Sequence, residues 1–287
     1  MNSAIKRCTG AAWIVILAMA LQSAMPARAL AAEPLAKDDI AHLKTLGSKV
    51  FNIRWTGKVY GAEERGVRSI SDGTTTLTAR GTRTFIVHNK KAMAAHSLFP
   101  GTDEALQQRG RRILAGIGAQ ASEIHEMQVL QQATQNAWRS SSGATKLGPV
   151  RKERRTLLVS RQIKELAIPS SRLLLNLDAK GNIAFLEVTW PDIAPATLET
   201  AQRLQAVAHN DFHAPSVDGA VVDRVQAVVL HSPAVAFYDD QLAALQVSYR
   251  AHSEKLGKKP VRYVDAEGRD LVLPRQIEAL KESAQTR

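Results

Sequence analysis

The chain has 287 residues, 45% of them hydrophobic and 23% charged, which is a globular balance rather than a disordered one. Its 38 lysines and arginines outnumber 27 acids for a formal charge of +11, aromatics make up only 5%, and there is one cysteine. These figures exclude a collagen, a disulfide-stapled miniprotein and a polytopic membrane protein, and they leave the core to Leu, Ile, Val and Ala.

Residues 1–31 read as a secretory signal peptide. Lys6 and Arg7 form a basic start, Ala11 to Leu21 is an apolar run of 11 residues, and Ala29-Leu30-Ala31 offers the small residues of a cleavage site. The run is too short to span a bilayer, which takes about 20 apolar residues. Cleavage near Ala31 removes Lys6, Arg7 and Arg28, lowers the net charge from +11 to +8, and takes away Cys8. The mature chain then has neither a thiol nor a disulfide, and it carries no Asn-x-Ser/Thr sequon. The expectation is a periplasmic or secreted bacterial protein.

The first mature region, 33–100, opens with a helical pattern over Asp38 to Leu46, with Ile40, Leu43 and Leu46 on one side. Strand-like runs follow at Val50–Val59, Thr74–Ala79 and Arg83–His88, with Gly61, Gly66, Gly73 and Gly81 in the turns between them. This predicts a small antiparallel sheet that closes at Phe99-Pro100-Gly101. The second region, 102–192, begins with Thr102 as N-cap and Asp103 and Glu104 in the first turn. Leu106, Gly110, Ile113, Leu114 and Ile117 share one helical face, and Gly118 stands where a terminating glycine belongs. Strands are expected at Ile124–Ala133, which is polar, and at Arg155–Ile163, where Arg161 interrupts the alternation of Leu157, Val159 and Ile163. Two more are expected at Arg172–Asp178 and Ile183–Trp190, joined by the turn Asp178-Ala179-Lys180-Gly181-Asn182.

The third region, 193–287, repeats this plan. A helix carries the stripe Leu198, Ala201, Leu204 and Ala208, with Glu199 and Arg203 paired outside. Strands are expected at Val222–His231, Ala244–Ala251 and Val261–Val264, and the turn Asp265-Ala266-Glu267-Gly268-Arg269 leads into Leu271–Leu273. A short amphipathic helix over Arg275–Ala284 ends the chain. The fold class read from this pattern is α+β, with antiparallel β-meanders each packed by a helix in a tandem repeat.

A helix laid on a meander whose last hairpin reads Val-Asp-Ala-x-Gly resembles the PepSY domain and the related pro-domains of thermolysin-type and fungalysin-type metalloproteases. The matching stretches are Leu177 to Asn182 and Tyr263 to Leu271, and the Ile168-Pro169-Ser170-Ser171 turn is similar to one in those pro-domains. The resemblance covers about residues 103–274. It implies non-catalytic work: inhibiting or assisting a partner protease, or binding a partner at the cell envelope.

Chemistry-bearing motifs are sparse. His209 and His213 lie at i, i+4 and are the candidate metal pair. A zincin helix needs Glu after the first histidine, whereas Asn210 stands there, and Pro215 follows closely. There is no Gly-x-Ser-x-Gly elbow, Walker loop or dinucleotide fingerprint, and no histidine is linked by sequence to Ser160, Ser170 or Ser171. Two basic clusters, Arg109, Arg111, Arg112 and Arg151, Lys152, Arg154, Arg155, are candidates for binding a polyanion or an anionic lipid surface, without interleaved aromatics that would stack nucleic-acid bases. The reading is an exported, non-enzymatic, inhibitor-like binding protein of the cell envelope, with no cofactor and with Ile124–Ala133 as the open edge that meets a protein partner. The alternatives are a metal-binding or hydrolytic envelope enzyme centred on His209 and His213, and a binder of anionic lipid or polyanion.

Overall fold

The computed structural model describes residues 33–64, 66–81, 83–94, 99–139, 145–210, 212–217, 220–231, 241–251 and 261–271. The expected signal peptide and the expected C-terminal helix at Arg275–Ala284 lie outside them. The described chain is α+β, with a mostly antiparallel sheet. It divides into two compact units. The first comprises the described residues up to Ala121 with Glu126–Val159 and Arg172–Trp190; the second comprises Ser122–His125, Ser160–Ser171 and the described residues from Pro191 onward. These units do not follow the three consecutive sequence regions, because the strands pair across those regions.

In the first unit, β1 (Glu33–Pro34) leads into helix α1 (Lys37–Lys49). The meander β2 (Tyr60–Glu64), β3 (Val67–Ser71), β4 (Thr75–Arg80) and β5 (Thr84–Asn89) follows, with each strand paired to the next. The helix fits its sequence pattern, and the strand expected over Val50–Val59 does not form. Asn52 turns to φ 57°, and the Ile53 N–H donates back to Gly47 O, which holds the chain against the helix end. Asp72 then accepts from the Thr56 N–H (2.7 Å) and the Thr56 hydroxyl (3.0 Å), so the Ile53 and Thr56 amides are satisfied without a strand partner. Phe51 is fully buried and meets Phe85 edge to face at 5.3 Å. Gly61 is not a turn residue but lies inside β2, where a Cβ would come within 2.7 Å of Ile40 Cγ1.

The first sheet does not close at residue 100. After α2 (Lys90–Ala94) and α3 (Asp103–Gly116) the chain runs through β6 (Ile124–Arg139), β7 (Thr145–Ile163), β8 (Leu166–Leu177) and β9 (Ile183–Thr189). Strand β9 pairs with β5 on one side and with β8 on the other. Both ends of α3 match their sequence signals. Thr102 Oγ1 accepts from Ala105 N. At the other end Gly118, at φ 80°, donates to Ala115 O while Ala119 N donates to Leu114 O, a Schellman closure. Gly110 is a close-approach residue, since a Cβ there would stand 2.4 Å from Leu157 Cδ2 of β7. Gly110→Val is therefore expected to lower stability by about 1–3 kcal/mol through overpacking, read as a lower urea midpoint.

The Ile168–Ser171 segment is strand rather than turn. The reversal comes earlier, at Lys164 and Glu165, whose φ values of 48° and 69° are those of a two-residue hairpin turn that twists with its strands.

The second unit packs α4 (Pro195–Asn210) on β10 (Ala220–His231) and β11 (Gln241–Ala251), with β12 (Val261–Val264) beyond β11. Ala201 and Leu204 of α4 join Leu166, Ile168, Ala227, Val229, Leu245, Val247, Tyr249 and Val264 in one core. Strand β10 also meets the first half of β8 in parallel, at Ala167 and Val228. Gln205 on α4 accepts from the Ala227 N–H at 2.8 Å, which satisfies a strand amide from the helix.

The two Asp-Ala-x-Gly turns have the same hydrogen bonds. Asp178 N donates to Asn182 O, Gly181 N donates to Asp178 O, and Asp178 Oδ1 accepts from the amides of Lys180 and Asn182. Asp265 N donates to Arg269 O, Gly268 N donates to Asp265 O, and Asp265 Oδ1 accepts from Glu267 and Arg269. Gly181 and Gly268 take φ of 77° and 79°, the left-handed region that glycine enters without steric cost.

Candidate functional site

A polar cluster forms inside the second unit. Residues 157, 159 and 161 share one face of β7, since strand side chains alternate, so Arg161 points the same way as buried Leu157 and Val159. Arg161 is itself only 3% exposed. It bonds to Glu123 at 2.9–3.0 Å and donates to Pro191 O at 2.6 Å. Its Nη1 lies 3.4 Å from Ser171 Oγ. That hydroxyl, 1% exposed, is also 2.8 Å from His231 Nε2 on β10, while the His231 N–H donates to Ser170 Oγ.

A serine hydroxyl against an imidazole is the arrangement of a nucleophile and its base. Here the surroundings oppose that use. Burial first, and then the positive charge of Arg161, push His231 down to about 4. An imidazole that avoids protons so strongly is a poor general base near neutrality. Ser171 is buried, and the Glu123 carboxylate in the cluster is held by Arg161. The cluster cross-links β7, β8, β10, the 3-10 turn Ala121–Glu123 and the chain at Pro191. Its role is architectural. Sequence reasoning missed it because Ser171 and His231 are 60 residues apart. The one local signal was a lone charge on the apolar face of β7.

The sequence-derived candidates fare differently. Helix α4 ends at Asn210, so His209 and His213 do not share a helical face. His209 Nδ1 lies 2.7 Å from Gln205 O within its own helix, and His213 sits exposed in the following segment. Among the described residues no three His, Cys, Asp or Glu side chains gather into a metal-ligand group.

Of the basic clusters, Arg109 is turned inward and donates to Phe51 O at 2.8 Å. Burial, then the nearby charge of Arg112, lower its affinity for a proton. Arg155 ties down the preceding loop by donating to Phe99 O, Gly101 O and Asp103. Arg154 reaches toward Met93 O, and its own carbonyl accepts from Gln131 Nε2. Arg111 and Arg112 remain on the exposed side of α3, with Arg112 bonded to Gln108. The side chains of Arg151 and Lys152 lie outside the described residues. The set does not act as one free cationic patch, since Arg109 and Arg155 hold the fold together.

The strand expected at Ile124–Ala133 is longer, running to Arg139, and β7 is its only strand partner among the described residues. The other strands at sheet ends are short: β1 has 2 residues and β12 has 4, against 16 in β6. Along β6, Met127 O accepts a long 3.4 Å contact from Gln107 Nε2 of α3. Among the described residues no helix is long and apolar enough to cross a membrane.

No protein-family model matches the chain, and no curated protein does. A solved structure described as an uncharacterized protein from Eubacterium rectale ATCC 33656 aligns over 84% of this chain and 85% of that one, at 12% identity and a TM-score of 0.44. A likeness that distant bears on neither fold nor function.

Proposed function

We propose that the chain is an exported, non-enzymatic binding protein of the bacterial cell envelope that engages a protein partner by adding an extended segment to strand β6. The observation that carries this reading is the edge itself: 16 residues of strand with, among the described residues, a strand partner on one side only. Such an edge offers a row of backbone donors and acceptors to an incoming strand. The apolar run and small-residue site in residues 1–31 support export. The PepSY resemblance, carried by the two Asp-Ala-x-Gly turns, supports an inhibitor-like role with a protease as partner. Nothing in the geometry favours an enzyme at His209 and His213.

The test is photo-crosslinking in the cell envelope. A photoreactive residue in place of Gln128, exposed on β6, is expected to give a discrete protein adduct. The same probe at Gln202, on the exposed side of α4, is expected to give none. Val129→Pro, which removes a strand amide, is expected to abolish the adduct. Absence of an adduct at position 128, or an identical one at 202, overturns the reading.

A further inference from the structure

The open edge of β6 matches itself. Among the described residues the strand pairs with β7 on one side and with no strand on the other. Its run Met127–Trp138 contains no Asp, Glu, Lys, Arg or Pro. Across the hairpin, Arg151 to Arg155 of β7 are charged without a break. Open edges are commonly blunted by charge or proline, which stop two copies from pairing. This run has neither, so a second copy laid beside it meets no like charge.

The side-chain amides add a positive match. Gln128, Gln131, Gln132 and Gln135 are all exposed. A carboxamide is donor and acceptor at once, so it bonds to another of its kind. Facing glutamines recur where identical strands pair. Gln131 Nε2 donates to Gln132 O at 3.1 Å and to Arg154 O at 2.9 Å, so its oxygen is the group left to bond. Gln135 Nε2 donates to Gly148 O at 2.8 Å and keeps a second N–H.

Symmetry then fixes the register. Opposed residues of an antiparallel pair share a face, and neighbours along one strand do not. A two-fold pairing therefore sets one residue against its own counterpart. The start of β6 is engaged by α3, where Gln107 Nε2 reaches Met127 O. The stretch beyond it, Gln128–Trp138, is centred on Ala133, which is exposed and small. With the axis there, Gln131 opposes the partner's Gln135 on both sides of the centre. The oxygen of one then meets the spare N–H of the other.

We propose that two copies of this chain pair antiparallel through their β6 edges, with the two-fold axis at Ala133 and Gln131 facing the partner's Gln135. This rests on the reading of β6 as an open edge. It makes a second copy the resident of that edge, which any other strand has to displace.

Light scattering on the full chain at micromolar concentration is expected to give the mass of two chains. Ala133→Lys sets two ammonium groups against each other at the axis and is expected to give the mass of one, with an unchanged urea midpoint. In a Cys8→Ser background, Ala133→Cys is expected to form a disulfide-linked pair under mild oxidation, and Gln202→Cys on α4 is expected not to. A one-chain mass for the parent, a two-chain mass for Ala133→Lys, or equal crosslinking at 133 and 202 overturns the proposal. The edge reading is separable from it. A one-chain parent that still crosslinks another protein through position 128 overturns the self-pairing alone. A two-chain parent whose adduct at 128 is only with itself supports the self-pairing and overturns the foreign partner.

Discussion

Arg161→Ala is expected to destabilise the folded chain by about 3–5 kcal/mol, because it removes a buried guanidinium and breaks its ion pair with Glu123. The arginine is 3% exposed and its charge is answered by Glu123 at 2.9 Å, so the pair is shielded from solvent. The same substitution frees Pro191 O, which now receives a 2.6 Å hydrogen bond. Urea unfolding at pH 7.5 reads the loss as a lower midpoint. The double variant Arg161→Met, Glu123→Leu removes both charges and is expected to recover most of it, as apolar replacements of buried ion pairs commonly do. A single variant within 1 kcal/mol of the parent would show that solvent reaches this pair.

The same cluster makes the protein acid-sensitive. His231 is held near 4 in the folded chain against an ordinary 6.5. Its pKa is depressed, so the folded state avoids a proton that the unfolded chain would accept. The associated stability is fully present above about 6.5 and is lost as the pH falls toward about 4, where it amounts to roughly 3 kcal/mol. The groups facing the ring are Arg161 from β7, which opposes its charge, and the Ser171 hydroxyl from β8, which bonds to either form. His88 in the first unit is shifted the same way, chiefly by burial against a smaller opposing pull from Glu187, and it adds to the loss over the same range. Carboxylates such as Asp270, which Arg262 holds below the usual range, act at lower pH. Urea midpoints measured from pH 7.5 to 4 should fall for the parent, and fall less for His231→Gln. Parallel curves for the two proteins would exclude His231 as a source.

How far the sequence reached is clearest element by element. Thr102 and Gly118 bounded α3 correctly, and the two Asp-Ala-x-Gly turns formed as read, because caps and tight turns are satisfied by hydrogen bonds within a few residues. Val50–Val59 was misread because aromatic and β-branched content marks residues that will be buried, whether or not they find a strand partner. Gly110 stands in the sequence as one residue of a helical face; the reason for a glycine there lies in Leu157, a residue on another element. Arg161 read as a break in the alternation of β7, and it is the centre of the buried cluster.

The sequence by itself determined the class of fold, the ends of α3, the two Asp-Ala-x-Gly turns and the polar character of β6. The tertiary structure alone decided that β5 meets β9, that Ser171 meets His231, and that Arg109 and Arg155 face inward rather than toward a ligand. The division has a physical basis. Local geometry follows from dihedral preferences and hydrogen bonds between near neighbours. Pairing and burial depend on which distant segments exclude water from one another, and no short window of sequence contains both partners.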